Sequence, residues 1–288
     1  MLSICIPTFN TDCSVLLDIL AKQIAQIEDT IEVLVCDDFS TEYLRVNQEA
    51  CEQNKFLFFE NQSNLGSIST RIKLAKISRF NWLLFIDADM VPVRSKYLHN
   101  YIQNMKNNSV VFGGYNYEKG HQTNLLRKNF GISREQKKVR VRKNTPYKYV
   151  FSGNMLIKKR IFIQNIKNPS NCYGYDVLLG ENLKRNKVEL LHIDNGTFHT
   201  GLEDNILYLK KLKEGAKLLR TQFDNDQIVS DHNNLINVYK FLKKIYLVKI
   251  LFSPILLIHI ISKKILSKFG RPIFLLDWLR LYYFVNAK

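Results

Sequence analysis

The chain has 288 residues, 46% of them hydrophobic, and a formal net charge of +16 from 42 Lys/Arg against 26 Asp/Glu. That hydrophobic share supplies a core and excludes a globally disordered chain, and the length fits one large domain or two small ones. The excess charge is localised: residues 127–148 carry nine basic residues against one acid, and residues 240–288 carry ten against one. Charge gathered this way reads as a docking surface for something acidic, not as a general solubility device. The five cysteines, Cys5, Cys13, Cys36, Cys51 and Cys172, show no CxxC or Cys/His metal spacing. Buried free thiols in a reducing compartment are the expectation.

Met1 leads straight into an apolar run, with no basic leader and no small-residue cleavage site. No signal peptide is expected, and the active domain is expected in the cytosol. Up to residue 115, short apolar runs at 2–7, 31–36, 56–59, 82–86 and 110–112 read as strands. Helical spacing fills roughly 13–28, 41–53, 66–79 and 94–106 between them. The runs are continuous, not alternating, so both sheet faces are covered, as in a parallel α/β sheet. Such a sheet binds ligands beyond the carboxyl ends of its strands. Residues 115–148 are polar, basic and poor in core residues, which predicts a long mobile loop. A strand over 149–158, a helix to about 166, a short helix over 173–187, a strand over 188–193 and a basic amphipathic helix over 202–222 follow.

The last fifty residues differ in kind. Ile245–Ser262 is nearly all apolar but is interrupted by Lys249 and Pro254, too broken to span a bilayer. Lysines at 240, 243, 244, 263, 264 and 268 flank it, and Trp278, Tyr282, Tyr283 and Phe284 follow. This composition suits helices lying in a membrane interface; a helical pair packed on the catalytic domain is the alternative.

Two strand ends and one helix start carry chemistry. At 83–89 a buried strand ends in Asp87-Ala88-Asp89, two carboxylates one residue apart. Charges at the tip of an apolar strand need an answer, and a hard divalent cation that also takes diphosphate oxygens supplies one; capping the next helix is the plainer role. At 33–41 a strand ends in Asp37-Asp38-Phe39-Ser40-Thr41, where a carboxylate can accept from a base or ribose hydroxyl, or merely solvate a turn. Asn64-Leu65-Gly66 opens a helix that carries Arg71 one turn in. A helix N-terminus with a glycine and an added cation suits phosphate.

Pro7-Thr8-Phe9-Asn10, Asp37-Asp38-Phe39-Ser40, Asn64-Leu65-Gly66 with Arg71, and Asp87-Ala88-Asp89, in that order, resemble the family 2 glycosyltransferases of the GT-A fold. The resemblance covers 1–115 well and 150–205 more loosely. It implies an α/β, Rossmann-like, mostly parallel sheet with helices on both faces and a C-terminal helical extension. It also implies an inverting enzyme that uses a nucleotide diphosphate sugar with Mn²⁺ or Mg²⁺. By the same resemblance Asp38 contacts the nucleobase, Pro7 and Phe9 flank it, Gly66 and Arg71 lie near the nucleotide, and Asp89 binds the metal with Asp87 beside it. Phe151-Ser152-Gly153-Asn154-Met155 resembles the strand that opens the acceptor side. Tyr173-Gly174-Tyr175-Asp176 resembles the turn that bears the catalytic base. Asp176 is therefore the expected base, with Glu181 as the fallback and helix capping as its plainer role. His199, within Phe198-His199-Thr200-Gly201, is a candidate metal ligand, whereas His192 reads as a core residue.

The expected organisation is a nucleotide-sugar-binding half at 1–115, an acceptor-binding half at 116–222 holding the mobile basic loop 127–148, and a membrane-associating helical extension at 223–288. The basic loop is expected to cover the donor or to meet a phosphorylated, lipid-linked acceptor. The expected partners are a nucleotide sugar, a saccharide or lipid-linked acceptor, and the inner face of the cytoplasmic membrane through 240–288. The Gln-x-x-Arg-Trp motif of processive synthases is absent, which favours transfer of one sugar per encounter. Two rivals remain. A nucleotidyltransferase-like enzyme would carry a glycine-rich basic loop after the first strand, where this chain has Thr8-Phe9-Asn10. A nucleic-acid-binding module would interleave aromatics with the basic residues, but 127–148 offers only Phe130 and Tyr147, so no nucleic acid is expected.

Overall fold

The computed structural model describes residues 1–118, 125–166, 173–228, 233–246 and 255–287. Cys172, Lys249 and Pro254 lie outside the described residues. In chain order the elements are β1 (Leu2–Thr8), α1 (Ser14–Ile24), β2 (Ile31–Asp37), α2 (Leu44–Gln53), β3 (Leu57–Glu60), α3 (Ser67–Ile77), β4 (Trp82–Ile86), β5 (Met90–Pro92), α4 (Tyr97–Gln103), β6 (Val110–Phe112) and β7 (Tyr115–Asn116). There follow α5 (Leu125–Phe130), a π turn (Gly131–Glu135), α6 (Val139–Asn144), a 3-10 turn (Pro146–Tyr149), β8 (Asn154–Lys158), α7 (Lys159–Asn165), α8 (Tyr175–Arg185), β9 (Leu191–His192) and β10 (Thr197–His199). Among the described residues, α9 (Asn205–Asp224), α10 (Asn234–Lys244), α11 (Ile255–Phe269) and α12 (Ile273–Val285) come last.

Two compact units result. The first comprises 1–118, 136–171 and 182–201, and the second 119–135, 172–181 and 202–288. The expected acceptor half at 116–222 is thus divided between the units. The helices of 223–288 form a C-terminal helical part that belongs to the second unit, where α11 and α12 pack on α9.

The first unit is built on a seven-stranded sheet in the order β3-β2-β1-β4-β8-β6-β9. The pairs β1–β2, β2–β3, β1–β4 and β6–β9 are parallel, whereas β8 runs antiparallel to both β4 and β6. Strand β1 is buried at all seven positions and β2 at six, as the continuous apolar runs require when helices cover both faces. Each buried Ile, Leu or Val contributes on the order of 1.5–3 kcal/mol, so these strands form the core and fix the register. Their carboxyl ends set Thr8 opposite Asp37 and Asp37 opposite Glu60, which gathers the polar turns on one edge. A second sheet, β5-β10-β7, lies in the same unit; β10 pairs antiparallel with β5, so His199 sits opposite Met90.

Buried Asn154 connects these parts. Its Nδ2 donates to the carbonyls of Gly114 (2.8 Å) and Asn195 (3.1 Å), and its Oδ1 accepts from the hydroxyls of Tyr97 (2.7 Å) and Tyr101 (2.6 Å). A buried amide with every site satisfied holds one geometry, because each lost bond would leave a desolvated polar group.

The basic segment differs from the mobile loop that its composition suggests. Residues 125–149 form α5, the π turn, α6 and the 3-10 turn, and Arg127, Lys128 and Arg142 are buried. Arg142 donates to the carbonyls of Lys137 (3.1 Å), Phe112 (3.2 Å), Gly113 (3.0 Å) and Ile193 (2.8 Å), and meets His192 Nδ1 at 3.1 Å. One guanidinium thereby caps the ends of β6 and β9. The strand expected over 149–158 is confined to Asn154–Lys158, since the 3-10 turn occupies its start. His192 is a core residue as expected: it is 1% exposed, with Nε2 at 3.0 Å from the Pro146 carbonyl. Cys5, Cys13, Cys36 and Cys51 are free and buried.

In the second unit, Arg127 is held by Glu135 at 3.0 Å and lies over the Tyr208 ring at 5.3 Å. Helix α10 packs Tyr239 against Phe223 and Phe284, with ring centroids at 5.8 and 5.2 Å. Among the described residues no helix is long and apolar enough to cross a membrane.

Candidate active site

The acids at the end of β4 have different surroundings. The Asp87 amide donates to the Gly153 carbonyl (3.1 Å), which turns the chain out of the strand. Its carboxylate forms an ion pair with Arg71, whose side chain is 5% exposed. Arg71 also donates to the Ser67 carbonyl at 3.1 Å, one helical turn back in α3. Burial pushes the Asp87 carboxyl above the usual carboxylate range; the Asp89 charge adds to that, and Arg71 and His199 oppose it. Asp89 faces His199, with Oδ2 and Nε2 3.0 Å apart. The small sheet makes this meeting possible: β10 pairs with β5, and Thr200 donates to the Asp89 carbonyl from its amide (2.9 Å) and its hydroxyl (2.9 Å). Tyr117 lies within 3.5 Å of His199 Nδ1, and Tyr115 stacks on Phe151 at 4.6 Å between centroids.

Two glycines leave room for these acids. A Cβ at Gly153 would stand 2.5 Å from Asp87 Cγ and 2.6 Å from the Tyr115 hydroxyl. One at Gly201 would stand 2.6 Å from Asp89 Cβ. All three distances are well inside van der Waals contact of roughly 3.5–4.0 Å.

Asp38 is 3% exposed and accepts three hydrogen bonds: Oδ1 from Asn61 Nδ2 (2.7 Å) and the Leu65 amide (2.9 Å), and Oδ2 from the Gly66 amide (2.7 Å). It anchors the Asn64–Gly66 turn that opens α3. Asp37 Oδ2 accepts from the Ser40 amide (2.7 Å), whereas its buried Oδ1 has no partner among the described residues. Pro7 is buried within β1, and Phe9 beyond the strand end is half-exposed. The structure therefore brings Asp87, Asp89, Arg71 and His199 together. It sets Asp38, Gly66, Pro7 and Phe9 around the ends of β1, β2 and α3.

In the second unit Asp176 occupies the first turn of α8 and is partly exposed, whereas Glu181 is 5% exposed.

Sequence reasoning missed Asn61 altogether, and it missed the parts that Gly201 and Arg142 play in the packing. Asn61 follows the end of β3, where the strand-end rule could have found it; its amide bonds Asp38 and Thr70, and Lys73 reaches its Oδ1 at 2.7 Å. No local signal marks the other two, because Gly201 meets Asp89 112 positions away and Arg142 caps strand-end carbonyls at Phe112, Gly113 and Ile193, 29 to 51 positions away.

A cation fits the donor set. An oxygen and an imidazole nitrogen 3.0 Å apart match adjacent ligands of an octahedral ion with bonds of roughly 2.1 Å. Among the described residues no group of three or more His, Cys, Asp or Glu side chains is arranged for a metal. An ion here would thus draw its remaining ligands from phosphate and water, as small hard cations do.

The model of the family described as Glycosyl transferase family 2 matches residues 3–165, more than half of the chain. No curated protein matches at a significant level. Among solved structures, the chain is similar to the mannosyltransferase PcManGT from Pyrobaculum calidifontis in complex with GDP-Man and Mn²⁺. The TM-score is 0.61 at 14% identity, over 99% of this chain and 85% of that one. It is similar also to glucosyl-3-phosphoglycerate synthase from Mycobacterium tuberculosis in complex with Mn²⁺, UDP and glucosyl-3-phosphoglycerate (TM-score 0.52, 13% identity, 80% and 81% covered). Residues 1–349 of S. aureus TarS in complex with UDP-GlcNAc give a TM-score of 0.52 at 15% identity, with 99% and 90% covered. At these identities the structures establish the shared fold: a mostly parallel sheet flanked by helices, with a helical C-terminal part.

Proposed function

The chain belongs to glycosyl transferase family 2, and from that premise we propose that it is a metal-dependent, inverting transferase moving one sugar from a nucleotide diphosphate sugar to a glycan or lipid-linked saccharide. One observation carries the reading: the Asp89–His199 pair, 3.0 Å apart, stands beside the Arg71–Asp87 ion pair just past the carboxyl end of β4. That edge is where parallel α/β sheets take ligands. The solved relatives with GDP-Man, UDP or UDP-GlcNAc support the donor class, and the two with Mn²⁺ support the metal.

Asp89 and His199, with Asp87 adjacent, would hold the cation. Such an ion, when bound, offsets the diphosphate charge and that of the departing oxygens. The protein's own residues do the remainder. Arg71 orients the Asp87 carboxylate and opposes the rise in its pKa that burial causes. Asp38 shapes the turn at Gly66, so that the N-terminus of α3 faces the nucleotide phosphates. Asp176 takes the proton from the acceptor hydroxyl as that oxygen attacks the anomeric carbon from the side opposite the diphosphate, which inverts the centre.

The acceptor reading draws on the second unit. Helix α10 buries Ile236 and Tyr239, yet exposes Val238, Phe241 and Ile245 at i, i+3, i+7 spacing, with Lys240 and Lys244 alongside. An apolar stripe bordered by lysines suits an anionic membrane surface, the cytoplasmic face in this proposal, where lipid-linked acceptors reside.

The experiment is a thermal-shift screen of nucleoside diphosphates with and without Mn²⁺, on wild type and Asp89→Ala. A metal-dependent shift for one nucleotide, abolished in the variant, is expected. Sugar transfer that survives Asp89→Ala would refute the reading.

A further inference from the structure

Two tyrosines delivered by the small sheet lie against His199. Strand β7 pairs parallel with β10, with Tyr115 opposite Thr197 and Asn116 opposite Phe198, and the same register carries Tyr117 alongside His199. The ring centroids of Tyr115 and Tyr117 are 6.0 and 5.8 Å from that of His199, tilted by 47° and 53°. Tyr115 is itself pinned, since it stacks on Phe151 and its hydroxyl accepts from the Gly153 amide at 3.1 Å. Tyr117 is 3% exposed, and its hydroxyl stands 3.5 Å from His199 Nδ1, the ring nitrogen that does not face Asp89.

The chemistry of imidazole gives this contact its meaning. Nε2 can offer a lone pair to a cation only when the ring's N–H is on Nδ1, and that N–H then needs an acceptor. The Tyr117 oxygen stands where such an acceptor is required. When Nε2–H instead donates to Asp89 Oδ2, 3.0 Å away, Nδ1 needs a donor, and the same hydroxyl supplies it by rotating its proton. A phenylalanine ring of equal shape would serve neither tautomer. The 3.5 Å separation is at the outer limit of a hydrogen bond, and a shift of roughly 0.5 Å reaches the common N–H···O distance.

We propose that Tyr117 is a positioning residue for the metal site: it sets the His199 ring so that Nε2 faces the ion beside Asp89. The proposal rests on the metal-dependent reading above and adds to it a residue that acts only through His199. Burial of the phenol fits this role, because a hydroxyl withdrawn from water is kept where it has a polar partner.

The test is a double-mutant cycle of Mn²⁺ binding, read from the electron paramagnetic resonance of the free ion, on wild type, Tyr117→Phe, His199→Ala and the double variant. Tyr117→Phe is expected to raise the Mn²⁺ Kd by roughly 10- to 100-fold, the usual cost of losing the partner of a ligating histidine. With His199 already replaced, the same change should have no further effect. Spin-echo modulation from an imidazole nitrogen on Mn²⁺ should be present in wild type and weakened in Tyr117→Phe. The metal-free melting temperature of Tyr117→Phe should stay near that of wild type, because the ring packing is kept. Should it fall, the cycle still decides, since general damage to the site would add to the loss of His199. A wild-type Mn²⁺ Kd in Tyr117→Phe, or an equal loss from that substitution in the His199→Ala background, would overturn the inference alone. Wild-type Mn²⁺ affinity in His199→Ala would overturn the metal-ligand reading together with it.

Discussion

Replacing Gly153 by alanine tests whether the Asp87 carboxylate is held where it must act. The added Cβ would stand 2.5 Å from Asp87 Cγ, against a comfortable separation of roughly 3.5 Å, so the carboxylate has to retreat by about 1 Å. The Tyr115 hydroxyl, 2.6 Å from the same Cβ, crowds the methyl group as well. A displacement of that size at a positioning group costs on the order of 100-fold in rate, or about 2.7 kcal/mol of transition-state stabilisation. Overpacking costs about 1–3 kcal/mol where nothing can yield, but a carboxylate that is 30% exposed can swing, so the stability loss should fall near the low end. Steady-state hydrolysis of the preferred nucleotide sugar measures the rate, and urea denaturation the fold. Gly153→Ala with an unchanged kcat/KM and a native denaturation midpoint would refute the link between this close approach and catalysis.

Asp176→Asn is expected to lower kcat by about 10²- to 10⁴-fold with nucleoside diphosphate affinity intact, and Glu181→Gln to do so far less; the reverse order in single-turnover assays would move the base to Glu181. His192 has its pKa pushed down to about 4, chiefly by burial and further by Arg142. As pH falls below about 6.5 the unfolded chain takes up this proton before the folded protein does, so stability present above that pH is lost towards pH 4. The loss should reach about 2 kcal/mol by pH 5, and His192→Gln should flatten that part of the urea-midpoint profile; an identical slope in the variant contradicts the assignment. Co-sedimentation with vesicles of anionic and of neutral lipid should show binding to the anionic ones only, weakened by salt and by Phe241→Ser with Val238→Ser. Equal sedimentation of wild type and the double variant would remove α10 from the membrane.

What could be read from the sequence was what lies within a few residues along the chain. The runs ending in Asp37 and in Asp87 announced β2 and β4 because a parallel strand buried on both faces must be continuously apolar. Asn64-Leu65-Gly66 announced the start of α3 for a similarly local reason. The small sheet was invisible, since β5, β7 and β10 have only two or three residues each, too few to carry a period. Yet that sheet brings His199 to Asp89 across 110 positions. The acids at 37 and 38 looked alike in sequence, but only the structure separates Asp38, which anchors the Gly66 turn, from Asp37, which keeps one buried oxygen unpartnered among the described residues.

The basic segment shows most plainly why composition misleads. Nine cations between 127 and 148 suggested a single polyanion-binding loop, but a cation can serve a docking surface only if it remains in solvent. Arg142 is 3% exposed and spends its guanidinium on four carbonyls and an imidazole, Arg127 is held by Glu135, and Arg134 is paired with Asp277. Reversing the charge at Arg142 would strand those carbonyls and place a carboxylate against them, a folding defect that would imitate a binding defect. Lys138, Arg140, Lys143 and Lys148, on or beside α6, are exposed cations of the first unit. Any attraction of this segment for a diphosphate or a phosphorylated acceptor must come from its exposed cations, these four among them, and the buried Arg142 contributes by fixing the backbone around α6.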